Sequence, residues 1–135
     1  MLFACVPVMA QLNVAATATN YTIDFDATVT DVNNGTYDGG GFVVAPAATD
    51  LDADAWATAG MDTDKDFGTA NTTGDNARGT TTGGVTAGGL YALNRGGGNI
   101  ALGWQPTSGD ATPGTITLKI TNDSGSTLDA LVVSY

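Results

Sequence analysis

Aspartate supplies all the acidic chemistry of this chain, because its 14 acidic residues are all Asp and it contains no histidine. Two runs place aspartates at alternate positions: Asp50, Asp52 and Asp54 in the first, and Asp62, Asp64 and Asp66 in the second. Alternate carboxylates in a loop can converge on Ca²⁺, which takes about six to eight oxygen ligands. These six residues are therefore candidate Ca²⁺ ligands, with a solvated acidic loop as the alternative for each run.

The second run does not match an EF-hand calcium loop. Phe67 stands where an EF-hand loop that begins at Asp62 would need glycine, and no glutamate follows to close it. If the first run lies on a strand, Asp52 and Asp54 share one face. Two neighbouring carboxylates on one face repel each other unless a cation or hydrogen-bond donors intervene.

Three aromatic residues, Trp56, Tyr91 and Trp104, form a second group of candidate ligands. Exposed aromatic faces stack on sugar rings, so the three could form a carbohydrate-binding platform. The alternative is that they belong to the core, where aromatic residues at strand spacing are commonly found.

Composition excludes several other kinds of chemistry. Without histidine, and with Cys5 as the only cysteine, the chain can build no Ser-His-Asp or Cys-His nucleophile system. A pair of aspartates could act as acid and base in a glycosidase, but nothing in the sequence sets two of them at the required separation. We therefore predict that the chain is not an enzyme. Its net charge of −10 also disfavours nucleic-acid binding.

Residues 1–10 are predicted to be the remnant of a secretory signal peptide. They form a short apolar run in which Val8 and Ala10 occupy the −3 and −1 positions of a small-residue cleavage site. The run is too short to span a bilayer, so we predict no transmembrane segment. Lipidation of Cys5 is the alternative, although the bulky Phe3 and the apolar residues after Cys5 argue against it.

The elements that must position these side chains are predicted to be short strands within one domain, residues 11–135. Residues 21–29 and 115–121 alternate apolar and polar side chains, the pattern of half-buried strands. Further short strands, separated by glycine-rich turns, are predicted at 41–45, 53–58, 88–93, 99–104 and 128–135. The expected total is about seven or eight strands. This pattern predicts an all-β, antiparallel, jelly-roll-like sandwich with a long loop at residues 60–84. Because the sequence stops within its last predicted strand, we expect the domain to be incomplete at its C-terminus.

Taken in order, these segments resemble a β-sandwich module of secreted Bacteroidetes-type proteins. The resemblance extends over nearly the whole chain after residue 10 and is carried by Tyr21-Thr-Ile-Asp-Phe-Asp26, Val32-Asn-Asn-Gly35, Leu51-Asp-Ala-Asp-Ala-Trp56, Asp66-Phe-Gly68, Thr73-Gly-Asp-Asn-Ala-Arg-Gly79, Gly83-Gly-Val-Thr-Ala-Gly-Gly-Leu-Tyr91, Ala101-Leu-Gly-Trp-Gln-Pro106, Asp110-Ala-Thr-Pro-Gly114, Thr121-Asn-Asp-Ser-Gly125 and Val132-Val-Ser-Tyr135. It implies the N-terminal part of a longer exported bacterial protein, which can carry lamin-tail-like or nuclease regions and a C-terminal sorting domain. It implies no catalytic residues.

The function that we expect from the sequence is a secreted, non-catalytic structural or interaction module of a larger extracellular or cell-surface protein. The first alternative is a carbohydrate-binding module that uses the aromatic residues, with Ca²⁺ as a candidate cofactor. The second is a fragment of an extracellular hydrolase whose active site lies beyond Tyr135. The expected partners are a polysaccharide or another surface protein, and the module itself is expected to be monomeric.

Overall fold

Ten short β-strands and one turn of 3₁₀ helix form the fold in the computed structural model, which describes residues 10–135. The strands are β1 (Leu12–Val14), β2 (Asn33–Asn34), β3 (Phe42–Val43), β4 (Asp50–Asp52), β5 (Trp56–Ala59), β6 (Thr80–Thr81), β7 (Gly89–Asn94), β8 (Ile100–Gln105), β9 (Thr115–Leu118) and β10 (Ile120–Asn122), and the 3₁₀ helix is Gly74–Asn76. No α-helix occurs between residues 10 and 135, so the predicted all-β class is confirmed.

The strands pair in four small sheets of mixed direction. Two sheets have three strands, in the orders β2-β4-β3 and β6-β7-β8, and the other two are the pairs β1-β10 and β5-β9. The pairings β1 with β10, β3 with β4 and β6 with β7 are parallel. The sheets are therefore not purely antiparallel as the sequence predicted, because these three pairs are not joined by hairpins. Only β1 and β10 come from distant parts of the chain.

The β7–β8 hairpin is the longest regular element. Its register runs from Gly89 opposite Gln105 to Asn94 opposite Ile100, and the backbone N–H of Arg95 donates to the carbonyl of Asn99 at 2.8 Å. The predicted strands at residues 88–93 and 99–104 are thereby confirmed, with the glycine-rich connection between them.

Residues 21–29 are not a strand, although they have the clearest alternation in the chain. The Asp24 carboxylate accepts a hydrogen bond from the backbone N–H of Asp26 at 2.8 Å, and this local turn replaces a strand ladder. Ile23 and Phe25 still pack against the core from this irregular segment. The alternating apolar residues therefore predicted correctly which side chains are buried. The backbone conformation is set instead by the hydrogen bond to the Asp24 carboxylate.

Residues 128–135 also lie outside every strand, so the strand predicted there is wrong. The strand predicted at residues 115–121 is present but is divided into β9 and β10. The partner of β10 is β1, and the backbone N–H of Asp123 continues this pairing by donating to the carbonyl of Val14 at 2.9 Å.

The predicted long loop at residues 60–84 contains the 3₁₀ helix and β6, and backbone pairing fastens it to the core. Phe42 and Asn71 exchange two backbone hydrogen bonds of 2.9 and 3.0 Å, and Thr58 and Lys65 exchange another two of 2.9 and 3.0 Å. The loop therefore follows a defined path across the sheets.

The core lies where these small sheets meet. Its fully buried members come from β3, β4, β7 and the segments beside β2 and β4: Val32, Tyr37, Phe42, Leu51, Ala53, Ala55, Leu90 and Ala92. Partly buried residues of β8 and β9, including Leu102 and Ile116, pack against this group. Nearly all of the predicted signal-peptide remnant lies outside the described residues, and no helix between residues 10 and 135 is long and apolar enough to cross a membrane.

Gly89, at the start of β7, allows the strand to pass directly against the 3₁₀ helix. Its φ is +129°, and an added Cβ would overlap the backbone carbonyl of Asp75. We expect Gly89→Ala to lower the free energy of unfolding by about 3 kcal/mol. The control is Gly83→Ala, since Gly83 has a φ of +110° but open space around it. Its expected cost is about 1 kcal/mol. Urea unfolding of both variants measures the difference, and equal costs would contradict the close approach.

Candidate functional site

The first aspartate run closes local turns. Asp52 is buried on β4, and its Oδ1 accepts a hydrogen bond from the backbone N–H of Asp54 at 2.9 Å. Asp50 Oδ2 accepts one from the backbone N–H of Ala47 at 3.2 Å. Burial is the main cause that raises the pKa of Asp52 above its ordinary value. Among the described residues these three carboxylates do not gather into a group that could hold a metal.

The three aspartates of the second run, Asp62, Asp64 and Asp66, do not lie together. Asp64 Oδ1 accepts a hydrogen bond from the backbone N–H of Met61 at 3.1 Å, and Asp66 is exposed. Asp62 does not meet either of them in a three-carboxylate group. It meets Asp75 and Asp110 instead, with one carboxylate oxygen from each residue within 4.8 Å of the others. We call these three residues the Asp62–Asp75–Asp110 cluster.

The cluster joins three separate segments of the chain. Asp62 is exposed in the loop after β5, whereas Asp75 in the 3₁₀ helix and Asp110 in the loop before β9 are only 3% and 7% exposed. The backbone N–H of Ala111 donates to the carbonyl of Gly60 at 2.6 Å, and this bond holds the loop that carries Asp110 against the loop that carries Asp62.

Asn76 fastens the 3₁₀ helix, which carries Asp75, to the loop that carries Asp62. Its side chain is fully buried, and its Nδ2 donates to the carbonyl of Thr63 at 2.7 Å. Its Oδ1 accepts a hydrogen bond from Thr58 Oγ1 at 2.8 Å. These bonds link the 3₁₀ helix to both β5 and the loop that carries Asp62, so the positions of Asp62 and Asp75 depend on each other.

The carboxylate oxygens of the cluster differ in their partners. Asp75 Oδ2 accepts a hydrogen bond from the backbone N–H of Asp62, and its Oδ1 accepts one from Asn76 Nδ2 at 3.3 Å. Asp110 Oδ2 accepts one from Thr107 Oγ1 at 3.3 Å. Asp110 Oδ1 is buried and has no hydrogen-bond donor. Because buried polar atoms normally have a partner, Asp110 Oδ1 is the chemically unusual atom of the cluster.

Sequence reasoning missed Asp75 and Asp110 as members of a site. Each follows a glycine, and neither is separated from Asp62 by a spacing that matches a metal-binding motif. No local pattern in the sequence marks Asp110, because the glycines that make room for its loop are at positions 88 and 89, far from it in the chain. Any Cβ on Gly88 would overlap the Asp110 carboxylate, just as one on Gly89 would overlap the Asp75 carbonyl.

Lys65 is the second unusual polar group that the sequence did not identify. It is 1% exposed, and its Nζ donates to the carbonyls of Ala53 at 2.6 Å, of Asp66 at 3.1 Å and of Trp56. The same nitrogen lies 5.0 Å from the centre of the Phe42 ring. Burial lowers the pKa of Lys65 to about 8. The ammonium group thus serves as an internal cross-link between backbone segments.

The three aromatic residues predicted to bind sugars are not presented together. Trp56 and Tyr91 are each 6% exposed. The Trp56 ring lies 6.2 Å from that of Phe25 and its Nε1 donates to the carbonyl of Val32 at 3.1 Å, while the Tyr91 hydroxyl donates to the carbonyl of Ala87 at 2.9 Å. Trp104 is half-buried and packs on the core. Two of the three rings therefore have no free face for a sugar in this structure.

Comparison of the chain with protein-family models, with curated proteins and with solved structures finds no match. The resemblance to a secreted β-sandwich module therefore remains a prediction from the sequence, and the chemistry of the site is argued from its own residues.

The ionisation of Lys65 can be measured directly, because the chain contains only two lysines, Lys65 and Lys119. We expect the Lys65 Cε signal in a ¹³C-lysine NMR spectrum to titrate near pH 8. The Lys119→Arg variant identifies that signal by removing the other one. Titration at or above the ordinary lysine value of 10.5 would contradict the depressed pKa.

The lowered pKa of Lys65 also determines how the free energy of unfolding changes with pH. Between about pH 8 and 10.5 the unfolded chain keeps a proton that the folded chain releases from Lys65. Raising the pH through this window therefore adds to the free energy of unfolding, whereas below pH 8 the contribution of Lys65 is constant. Urea unfolding at intervals across the window, compared with the Lys65→Met variant, measures this contribution.

Proposed function

We propose that this chain is a non-catalytic structural or interaction module of a larger extracellular or cell-surface protein. The observation that supports this most strongly is the exposed apolar segment at residues 128–135. Leu131, Val132 and Val133 are 60%, 88% and 68% exposed, and Tyr135 is fully exposed. These four apolar side chains lie outside the core.

The chemistry of this segment suits pairing with another strand. It contains neighbouring β-branched valines, which favour the extended conformation, and Asp129 is its only charged residue. Its residues belong to none of the ten strands, so its backbone groups are available for a new ladder. An added strand would satisfy the backbone while covering the apolar side chains, as in β-augmentation. We propose a strand of a neighbouring domain in the same larger protein as the occupant.

The remainder of the surface supports a module that is otherwise solvated. The net charge of −10 and the aspartate-rich and threonine-rich turns favour solubility, so one contiguous apolar segment stands out against them. The carbohydrate-binding alternative has less support, because Trp56 and Tyr91 are buried. Secretion from a bacterial cell belongs to the same proposal and rests on the sequence pattern of residues 1–10.

Paired substitutions test the apolar segment. We expect Val132→Asp together with Val133→Asp to reduce binding of the apolar dye ANS about twofold or more and to abolish self-association at high concentration, since both depend on exposed apolar area. The matched control is Ser126→Asp with Thr127→Asp, which adds the same charge at exposed polar positions. ANS fluorescence and sedimentation velocity make the comparison.

Folding can be monitored separately through the near-ultraviolet circular dichroism of the core tryptophans. The four substituted positions lie outside the core, so this signal should stay unchanged in both variants. A wild-type chain that neither binds ANS nor associates would argue against residues 128–135 as a docking surface and would remove the main support for the module.

A further inference from the structure

We propose that the Asp62–Asp75–Asp110 cluster is a Ca²⁺ site that fastens three loops of the domain together. This inference does not depend on the proposed function, because it rests on the carboxylates and the hydrogen bonds around them. It also differs from the metal sites that the aspartate runs predicted, since only Asp62 is shared with them.

The distances within the cluster fit a calcium coordination shell. Ca²⁺ holds its oxygen ligands at about 2.4 Å, so two ligands of one ion are at most about 4.8 Å apart. One carboxylate oxygen from each of the three residues lies within that limit of the others. The spacing of the three oxygens therefore meets the limit on separation that ligands of one ion must satisfy.

The buried Asp110 carboxylate is the independent observation that points to a ligand. The residue is 7% exposed, and its Oδ1 has no hydrogen-bond donor. Its Oδ2 is already engaged by Thr107 Oγ1 and lies against Gly88. Leaving a buried carboxylate oxygen without a partner costs free energy, and a cation at the cluster would supply the missing partner.

Charge balance leads to the same conclusion. Three carboxylates at this separation repel one another, and two of them are shielded from water. Two cationic side chains of the chain are engaged with backbone carbonyls: Lys65 Nζ with three of them, and Arg78 Nε with that of Gly88 at 2.6 Å. Arg78 is the rival source of compensation, because its acceptor Gly88 adjoins Asp110.

The donor set favours Ca²⁺ over other divalent ions. All of the side-chain donors are hard oxygens, and the chain has no histidine that would favour zinc or copper. Asp62 is exposed, so water can complete the shell on that side. Ca²⁺ accepts such an irregular shell of carboxylates and waters, whereas Mg²⁺ requires a nearly ideal octahedron at about 2.1 Å.

Binding should be measured on the full chain after treatment with EDTA and removal of the chelator. We expect isothermal titration with CaCl₂ to give one saturable site, with a Kd of about 10⁻⁴ to 10⁻³ M as in extracellular modules. At a free concentration about tenfold above the Kd, the melting temperature should rise by about 4 °C. MgCl₂ at equal ionic strength should produce a smaller rise.

Variants assign the binding to the cluster. Asp110→Asn should abolish the saturable binding, and Asp62→Asn, at an exposed position where folding is not at risk, should weaken it about tenfold or more. Asp66→Asn and Asp129→Asn remove the same charge at exposed positions outside the cluster and should bind Ca²⁺ like the wild type.

Three results would overturn the proposal. One is a folded wild-type chain with no saturable binding, which would assign the charge compensation to Arg78. Another is an unchanged Ca²⁺ response in both Asp62→Asn and Asp110→Asn. The third is an equal rise in melting temperature with MgCl₂, which would indicate general screening of the acidic surface.

Discussion

Lys65 places a positive charge in the core of a strongly acidic chain, and the surrounding structure depends on how that charge is satisfied. Its Nζ donates to the carbonyls of Ala53, Trp56 and Asp66, which ties the turn between β4 and β5 to the loop that follows β5. A buried ammonium group without such acceptors would be strongly unfavourable. The three carbonyls that surround Lys65 would in turn lose their donor if Lys65 were replaced by an apolar residue. Together with the backbone pair between Thr58 and Lys65, this group holds the loop that begins at Gly60 and carries Asp62.

Side-chain hydrogen bonds to the backbone do in this domain what long strand ladders do in larger sheets. The longest strands contain six residues, and several contain two. Asn33 illustrates the consequence, because its Nδ2 donates to the carbonyls of Asp24, Ala27 and Gly35 at 3.3, 2.6 and 3.0 Å. It fastens the irregular segment 21–29 to the sheet that contains β2. Asparagine, aspartate and threonine are thus structural residues here, and their abundance is not only a property of the surface.

The Asp62–Asp75–Asp110 cluster also depends on side-chain and backbone hydrogen bonds between loops. Three loops meet because backbone and asparagine side-chain hydrogen bonds hold each of them to a neighbour, and glycines at positions 88 and 89 allow β7 to approach two of them closely. The site is a property of loop packing, whereas the exposed apolar segment 128–135 is a property of local composition. The two features lie on different parts of the chain and do not share residues.

The sequence alone determined the all-β class, the β7–β8 hairpin and the apolar character of the segments that reach the core, because these follow from local periodicity and turn composition. It did not determine which strands pair. Residues 21–29 alternate like a strand but turn at Asp24, and β10 pairs with β1 across more than a hundred residues instead of with residues 128–135. From their spacing, the sequence predicted two runs of aspartates as candidate Ca²⁺ ligands. Only tertiary packing could bring Asp62 together with Asp75 and Asp110. Spacing in a sequence constrains side chains within one loop or strand, but the meeting of three loops is decided by long-range hydrogen bonds and close backbone contacts that no local pattern records.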